Sequence, residues 1–310
     1  MIKIKKQGVS LVEVLVTLAV ALIAIAIIDQ SFYQIREQHL NTMESLDDNT
    51  GVIEVDNIFR DLVEGAYISG NAIYSPWKLS TPQVIGLQVD PLKYPIIYAQ
   101  RAPLRSGATV LTPNHQADTD VLILQTIDDP QVLTAAIASG ATSFTRPIAP
   151  EATETPPAIT ASRFMLLSSE SHQNLISAGN DIASNQATVN LNGGSGAISQ
   201  NFPVGSVLYT QYLFKIVYIR ENIDGQGNVE DQLCQLSYDQ SGAPITTVLL
   251  DDVSNLQISY RTNAGWQRVA PDDDIRIWYK EIRGLRFSYT LDGENHQTIV
   301  SFGGVSGAFT

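Results

Sequence analysis

The chain is short of cysteine, of positive charge and of the motifs that carry catalysis. Among its 310 residues there is one cysteine, Cys234, so no disulfide can form within the chain. Lysine and arginine total 19 against 32 acids, a net charge of −13, and only 16% of residues are charged. Such a body offers no broad basic surface for nucleic acid phosphates, and nucleic acid is not expected as its partner. The four histidines, His39, His115, His172 and His296, are scattered, and none has the paired spacing of a helical zinc site. Neither a Gly-x-Ser-x-Gly elbow nor a phosphate-binding loop occurs. The expectation is a protein with no enzymatic activity, no metal and no cofactor. Proline is also missing until Pro76, which leaves the preceding chain free to form long helix.

What the chain does have is an apolar run near its amino terminus. The twenty residues from Val9 to Ile28 hold a single charged side chain, Glu13. As a helix they would extend about 30 Å, enough to cross the hydrocarbon core of a bilayer. Lys3, Lys5 and Lys6 precede the run and hold that end in the cytoplasm, so the remainder is expected on the far side of the membrane. An ordinary secretory signal has a shorter apolar region with its small-residue cleavage site beyond it. Here the small residue is Gly8, on the cytoplasmic side of the run. Cutting there would leave the apolar helix as the new amino terminus. A carboxylate costs about 2.5 to 3.5 kcal/mol at a bilayer centre and less near an interface, so Glu13 calls for a cationic partner.

The residues Lys5-Lys6-Gln7-Gly8, then Val9-Ser10-Leu11-Val12-Glu13, then a helix of Val, Leu, Ala and Ile resemble the class III signal of type IV prepilins and of type II secretion pseudopilins. The resemblance implies cleavage between Gly8 and Val9 by a membrane-embedded prepilin peptidase, and N-methylation of Val9. It makes Glu13 the fifth residue of the mature chain, where the family's acid pairs with the amino-terminal nitrogen of a neighbouring subunit. Two positions depart from the usual pattern. Val9 stands where Phe or Met is most frequent, and Gln30 stands where major pilins carry a helix-kinking proline. The second departure points to a minor subunit.

Beyond the membrane run, Leu40, Met43 and Leu46, then Val52, Val55, Phe59 and Leu62, recur mostly at spacings of three and four, which predicts helix toward Gly65 and Ala66. Gly51 is a candidate bend. The stretch from Tyr67 to about Arg105 reads as an irregular connection. A buried strand is predicted over 120–127 and another over 163–168, with a loop from Ile148 through Pro157. The polar stretch from Ser169 to Gln200 reads as turns and mobile loops. Strands are expected at 207–219, 229–238, 244–250, 253–261, 275–279 and 282–291, with turns at Gly225-Gln226-Gly227-Asn228 and Ser241-Gly242. Cys234 lies in an alternating segment and should face a sheet core.

This strand order looks like that of the large minor pilins of the W type and their J-type pseudopilin relatives. The fold class expected is α+β and pilin-like: a long N-terminal helix, transmembrane in its first half, packed on a mostly antiparallel sheet head with long irregular loops. The divisions expected are a leader at 1–8, a membrane helix at 9–28, its periplasmic continuation at 29–66 and a β-rich head at 67–310. The function implied is a minor pilin, a structural or priming subunit of filaments that serve twitching, adhesion or DNA uptake. A J-type pseudopilin is the alternative, and a signal-anchored periplasmic binding protein or adhesin is the alternative of another class. The partners implied are prepilin peptidase, other minor and major pilins, and the inner membrane before assembly. The expected location is the inner membrane, then a filament near its tip. Two acid clusters, Asp118-Thr119-Asp120 and Asp272-Asp273-Asp274, are weighed as calcium ligands, but neither has the full ligand loop, and solvated turn acids are the default. Tyr209, Tyr212, Trp266, Trp278 and Tyr279 are weighed as a tip-binding surface, with strand core as the commoner role.

Overall fold

A computed structural model describes residues 51–66, 79–82, 90–106, 108–147, 158–159, 164–192, 198–223, 226–227, 229–238, 243–270, 278 and 282–302. The backbone divides into two compact units, Met1–Ile53 and Glu54–Thr310. All but the last three residues of the first unit lie outside the described residues, and so do the expected leader at 1–8, the expected membrane helix at 9–28 and the 29–50 part of its expected continuation.

Residues 51–66 are helical. Val55, Phe59, Val63 and Ala66 are fully buried, at spacings of four, four and three, so they form one stripe. That stripe is turned slightly from the one expected: Val52 and Leu62 are only half-buried, and Val63 and Ala66 complete the apolar face. Exposed Arg60 and Glu64 are 4.0 Å apart on the outer side, a pair that contributes a few tenths of a kcal/mol.

The larger sheet has eight strands and is organised by one very long strand, β10 (Val207–Ile223). Along one edge β10 runs antiparallel to β5 (Val121–Val132), from Val207 opposite Val132 to Val217 opposite Leu122. On its other edge it holds two different neighbours. Val207–Tyr209 pair with β7 (Phe164–Ser168), and Ile216–Ile223 pair with β11 (Val229–Tyr238). Outside β11 lies β12 (Pro244–Asp251); outside β7 lie β8 (His172–Ser177) and then β1 (Leu79–Pro82), which among the described strands is the one parallel addition to this sheet. Outside β5 lies β2 (Ile97–Gln100), preceded by a 3₁₀ turn at Pro91–Lys93. The second sheet is antiparallel, in the order β14 (Gly265–Arg268), β13 (Val253–Thr262), β15 (Gly284–Leu291) and β16 (Glu294–Ser301). Two small antiparallel pairs complete the set: β3 (Arg105–Ser106) with β4 (Thr109–Val110), and β6 (Ser143–Thr145) with β9 (Thr188–Asn190).

Two hydrophobic cores flank the larger sheet, and period-two alternation assigns side chains to them. On β7, Phe164 and Leu166 enter a core with Tyr212, Phe214, Ile216, Tyr218, Cys234 and Leu236. Met165 and Leu167 of the same strand enter the other, with Ile176, Val189 and Phe202. The second core is built almost wholly from the 74 residues (206 − 133 + 1) between β5 and β10. This insertion is closed at its base by Leu133 N–H to Ser206 at 2.8 Å and by reciprocal bonds between Ile137 and Phe202, both 2.8 Å.

The insertion corrects one expectation. The described part of the polar stretch from Ser169 to Gln200 (169–192 and 198–200) is not made of loops alone: it contributes β8, β9 and the buried side chains Leu175, Ile176, Ala178, Ile182, Val189, Leu191 and Ile198. Its aliphatic residues are sparse in sequence, but the folded insertion gathers them. Arg146 locks the return: buried, its guanidinium donates to the carbonyls of Ala183 and Ser184 at 2.8 and 2.9 Å, and its Nε donates to that of Gln186 at 3.0 Å.

Candidate functional site

The residues assigned to processing and assembly, Lys3, Lys5, Lys6, Gly8, Val9 and Glu13, lie outside the described residues. What can be followed is how the head holds the 51–66 helix. Phe59 stacks on Phe287 of β15, with ring centroids 4.2 Å apart and planes inclined by 2°. Tyr289, two residues on and on the same strand face, meets Phe59 at 5.9 Å. The Thr298 hydroxyl of β16 donates to the Asp56 carboxylate one helical turn earlier. Alternation along β15 and the four-residue period of the helix bring these groups together.

Between the two sheets runs the segment 114–120, where the first acid cluster sits. Its start clips onto β10: Glu221 N–H donates to Asn114 and Gln116 N–H to Ile219, at 2.8 and 2.9 Å. Its end clips onto β13: Asp120 N–H donates to Leu256 at 2.9 Å, and Ile258 N–H donates to Asp120 Oδ2 at 2.6 Å. Gln116 reaches both ways, donating to Asp231 at 2.7 Å while its Oε1 accepts from Asn255 N–H at 2.8 Å. The segment is a rivet between sheets. Asp120 is fully buried, and burial pushes its carboxyl up to about 6. Burial likewise pushes His115 down to about 4; its ring lies 3.2 Å from the Thr119 hydroxyl.

This geometry separates the acids weighed as calcium ligands. Asp118 is exposed and pairs with Arg101 at 3.3 Å, while Asp120 turns inward to β13. Among the described residues no three His, Cys, Asp or Glu side chains come close enough to hold a metal. Asp272, Asp273 and Asp274 lie outside the described residues.

The aromatic residues weighed as a binding surface divide in the same way. Tyr209 and Tyr212 are buried in the first core, and the Tyr212 hydroxyl donates to Gln125 at 2.7 Å. Trp278 is buried beside Tyr98 and Tyr260. Trp266 is half-buried beneath the Arg286 guanidinium, 5.1 Å from its ring centre. Tyr279 lies outside the described residues. Cys234 is buried as expected, and burial pushes its thiol up, which keeps it protonated and unreactive. His172 and His296 lie at the first residue of β8 and within β16, far apart in the chain order. Gln116 was not singled out from sequence, since its partners are 115 and 139 residues away.

Residues 3–28 match the model of the prokaryotic N-terminal methylation motif. No curated protein and no solved structure matches the chain. The motif covers Lys3, Lys5, Lys6, Gly8, Val9, Glu13 and the apolar run together. It is the signature of a type IV pilin-like or pseudopilin precursor.

Proposed function

We propose that the chain is a minor type IV pilin, a structural and priming subunit without enzymatic activity. Prepilin peptidase cuts it after Gly8, Val9 is N-methylated, and Glu13 carries it into a filament through the amino-terminal helix. The observation that carries this reading is the methylation motif at residues 3–28. Physical chemistry supports the role of Glu13, because a carboxylate in lipid needs a cation and a neighbouring subunit's amino terminus supplies one. Support for a minor subunit comes from the head. The 74 residues between β5 and β10 (206 − 133 + 1) extend the larger sheet through β7 and β8 and supply nearly all of a second core, a bulk ill-suited to repetition at every position of a helical array. The same reading places the precursor in the inner membrane, with its head periplasmic, and then in a filament near the tip.

The intact mass and amino-terminal sequence of the protein recovered from its native membrane test the processing step. A chain beginning at N-methylated Val9 is expected; an uncut Met1 terminus overturns the reading in favour of a simple signal anchor. Glu13→Ala tests the assembly step. The variant should keep a folded head and fail to enter filaments, and wild-type incorporation would remove the partner role of Glu13.

A further inference from the structure

One edge of the head is built for company. β12 ends the eight-stranded sheet and pairs with β11 alone among the described strands. None of its eight residues is fully buried; Ile245 is 47% exposed and Val248 38%. Soluble proteins usually guard such edges with lysine or other charges, because the open N–H and C=O groups template another strand. From Ile245 to Leu250 this edge has no charge, no proline and no glycine, and Ile245, Val248, Leu249 and Leu250 are aliphatic. Its limits are Pro244 at one end and a bulge at the other: Leu233 faces Leu250 and Cys234 faces Val248, which leaves Leu249 as the extra residue.

The two faces of this edge differ. Val248 and Thr246 lie opposite Cys234 and Leu236, both members of the first core, so they sit on the core side. Ile245 and Thr247 lie opposite Ser237 and Gln235, on the other side. The core therefore continues outward to Val248, where it meets solvent. At the far end, Asp251 and Asp252 are exposed, and the neighbouring β10–β11 hairpin adds Glu221, Glu230 and Asp231. Of the two bases on β10, Arg220 is engaged with Gln232 at 2.6 Å, and Lys215 lies before the stretch of β10 that pairs with β11.

We propose that β12 is a docking edge for an extended segment of another subunit, which adds to the sheet as a further strand. Main-chain bonds to Ile245–Val248 give the pairing, and alternate aliphatic side chains of the incoming strand cover Val248 and the open side of the core. The acidic rim selects a strand with lysine or arginine at the end beside Asp251. A second copy of the chain brings the same acids and the same net charge of −13, so the occupant is a different chain. The site rests on the strand edge; only the identity of the occupant as a fellow subunit rests on the pilin reading.

The test uses the full-length protein in detergent micelles and a fluorescein-labelled peptide, Lys-Val-Thr-Val-Thr-Val-Lys, with binding read by anisotropy. The peptide should bind, slow amide exchange at 245–248, and bind V248K about tenfold more weakly or worse. I245K, on the other face, should weaken it less. Both variants should keep the wild-type thermal midpoint, since both sites are partly exposed. Absence of binding, equal affinity for V248K, or equal binding of a peptide with proline at its central position would overturn the proposal. A dimer in sedimentation that V248K disperses would overturn the choice of a different chain as occupant. Processing at Gly8 plays no part in these readouts, so this proposal and the pilin reading can fail separately.

Discussion

Replacing Phe59 should loosen the helix from the head, and the size of the effect follows from its surroundings. The ring is fully buried, parallel to Phe287 at 4.2 Å and tilted against Tyr289 at 5.9 Å. Truncating a buried Phe to Ala costs about 3 to 5 kcal/mol, of which an aromatic pair accounts for about 0.5 to 1.5 kcal/mol. Phe59→Leu keeps most of the burial and loses the ring pairing, so it should cost about 1 kcal/mol. Ile53→Ala, at a position 60% exposed on the same helix, should cost less than about 0.5 kcal/mol. For a domain of this size each kcal/mol moves the thermal midpoint by about 2 to 4 °C, so Phe59→Ala should lower it by roughly 6 to 20 °C. Urea unfolding followed by tryptophan fluorescence measures all three. If Phe59→Ala lies within about 1 kcal/mol of wild type, or matches Ile53→Ala, the helix is not held by this contact.

Three further outcomes are expected. Asp120, pushed from 3.8 up to about 6, gives stability that is full below about pH 4 and lost as pH rises through about 6, worth at most about 3 kcal/mol. His115, pushed from 6.5 down to about 4, gives stability that is full above about pH 6.5 and lost as pH falls through about 4. The slopes oppose, so in urea midpoints at pH 4.5 and 6.5 Asp120→Asn should leave stability rising with pH and His115→Gln should leave it falling; unchanged profiles would count against both. Arg146→Lys should destabilise by about 2 to 4 kcal/mol and open the 183–187 turn to protease, because one ammonium cannot replace a fork that serves three carbonyls. Cys234 should react with a thiol reagent only at the rate of unfolding in intact protein, and fast labelling without denaturant would refute its placement in the core.

What could be read in the sequence was what is written locally. The methylation motif is contiguous, so basic leader, cleavage glycine and acid could be recognised together, and β11 falls where alternation put it, at Val229–Tyr238. A further hairpin signal lies beyond the two turns expected. Asp292 and Gly293, at φ of 50° and 84°, form the two-residue turn that opens β16, and Asp-Gly is a favoured pair where both residues take a positive φ. The second core was hidden for another reason: Ile176, Ile182, Val189 and Leu191 show no period, because they come from short strands and bridges, not one long element. The rivet at 114–120 was beyond reach, since Asp120 reads as a turn acid until Ile258, 138 residues later, is folded against it. Tyr212 and Trp278 needed burial to separate core from surface.

The stacking of Phe59 on Phe287 also sets a clock. The two rings are 228 residues apart (287 − 59), and β16, which supplies Thr298, comes later still. A ribosome adding about 5 to 20 residues per second takes roughly 10 to 45 s to span that distance. Throughout this interval the stripe of Val55, Phe59 and Val63 has been made and the surface that covers it has not. The head thus passes through a long adolescence with its stickiest helix bare, and the order of synthesis, not the final stability, fixes how long it must be kept from the wrong neighbours.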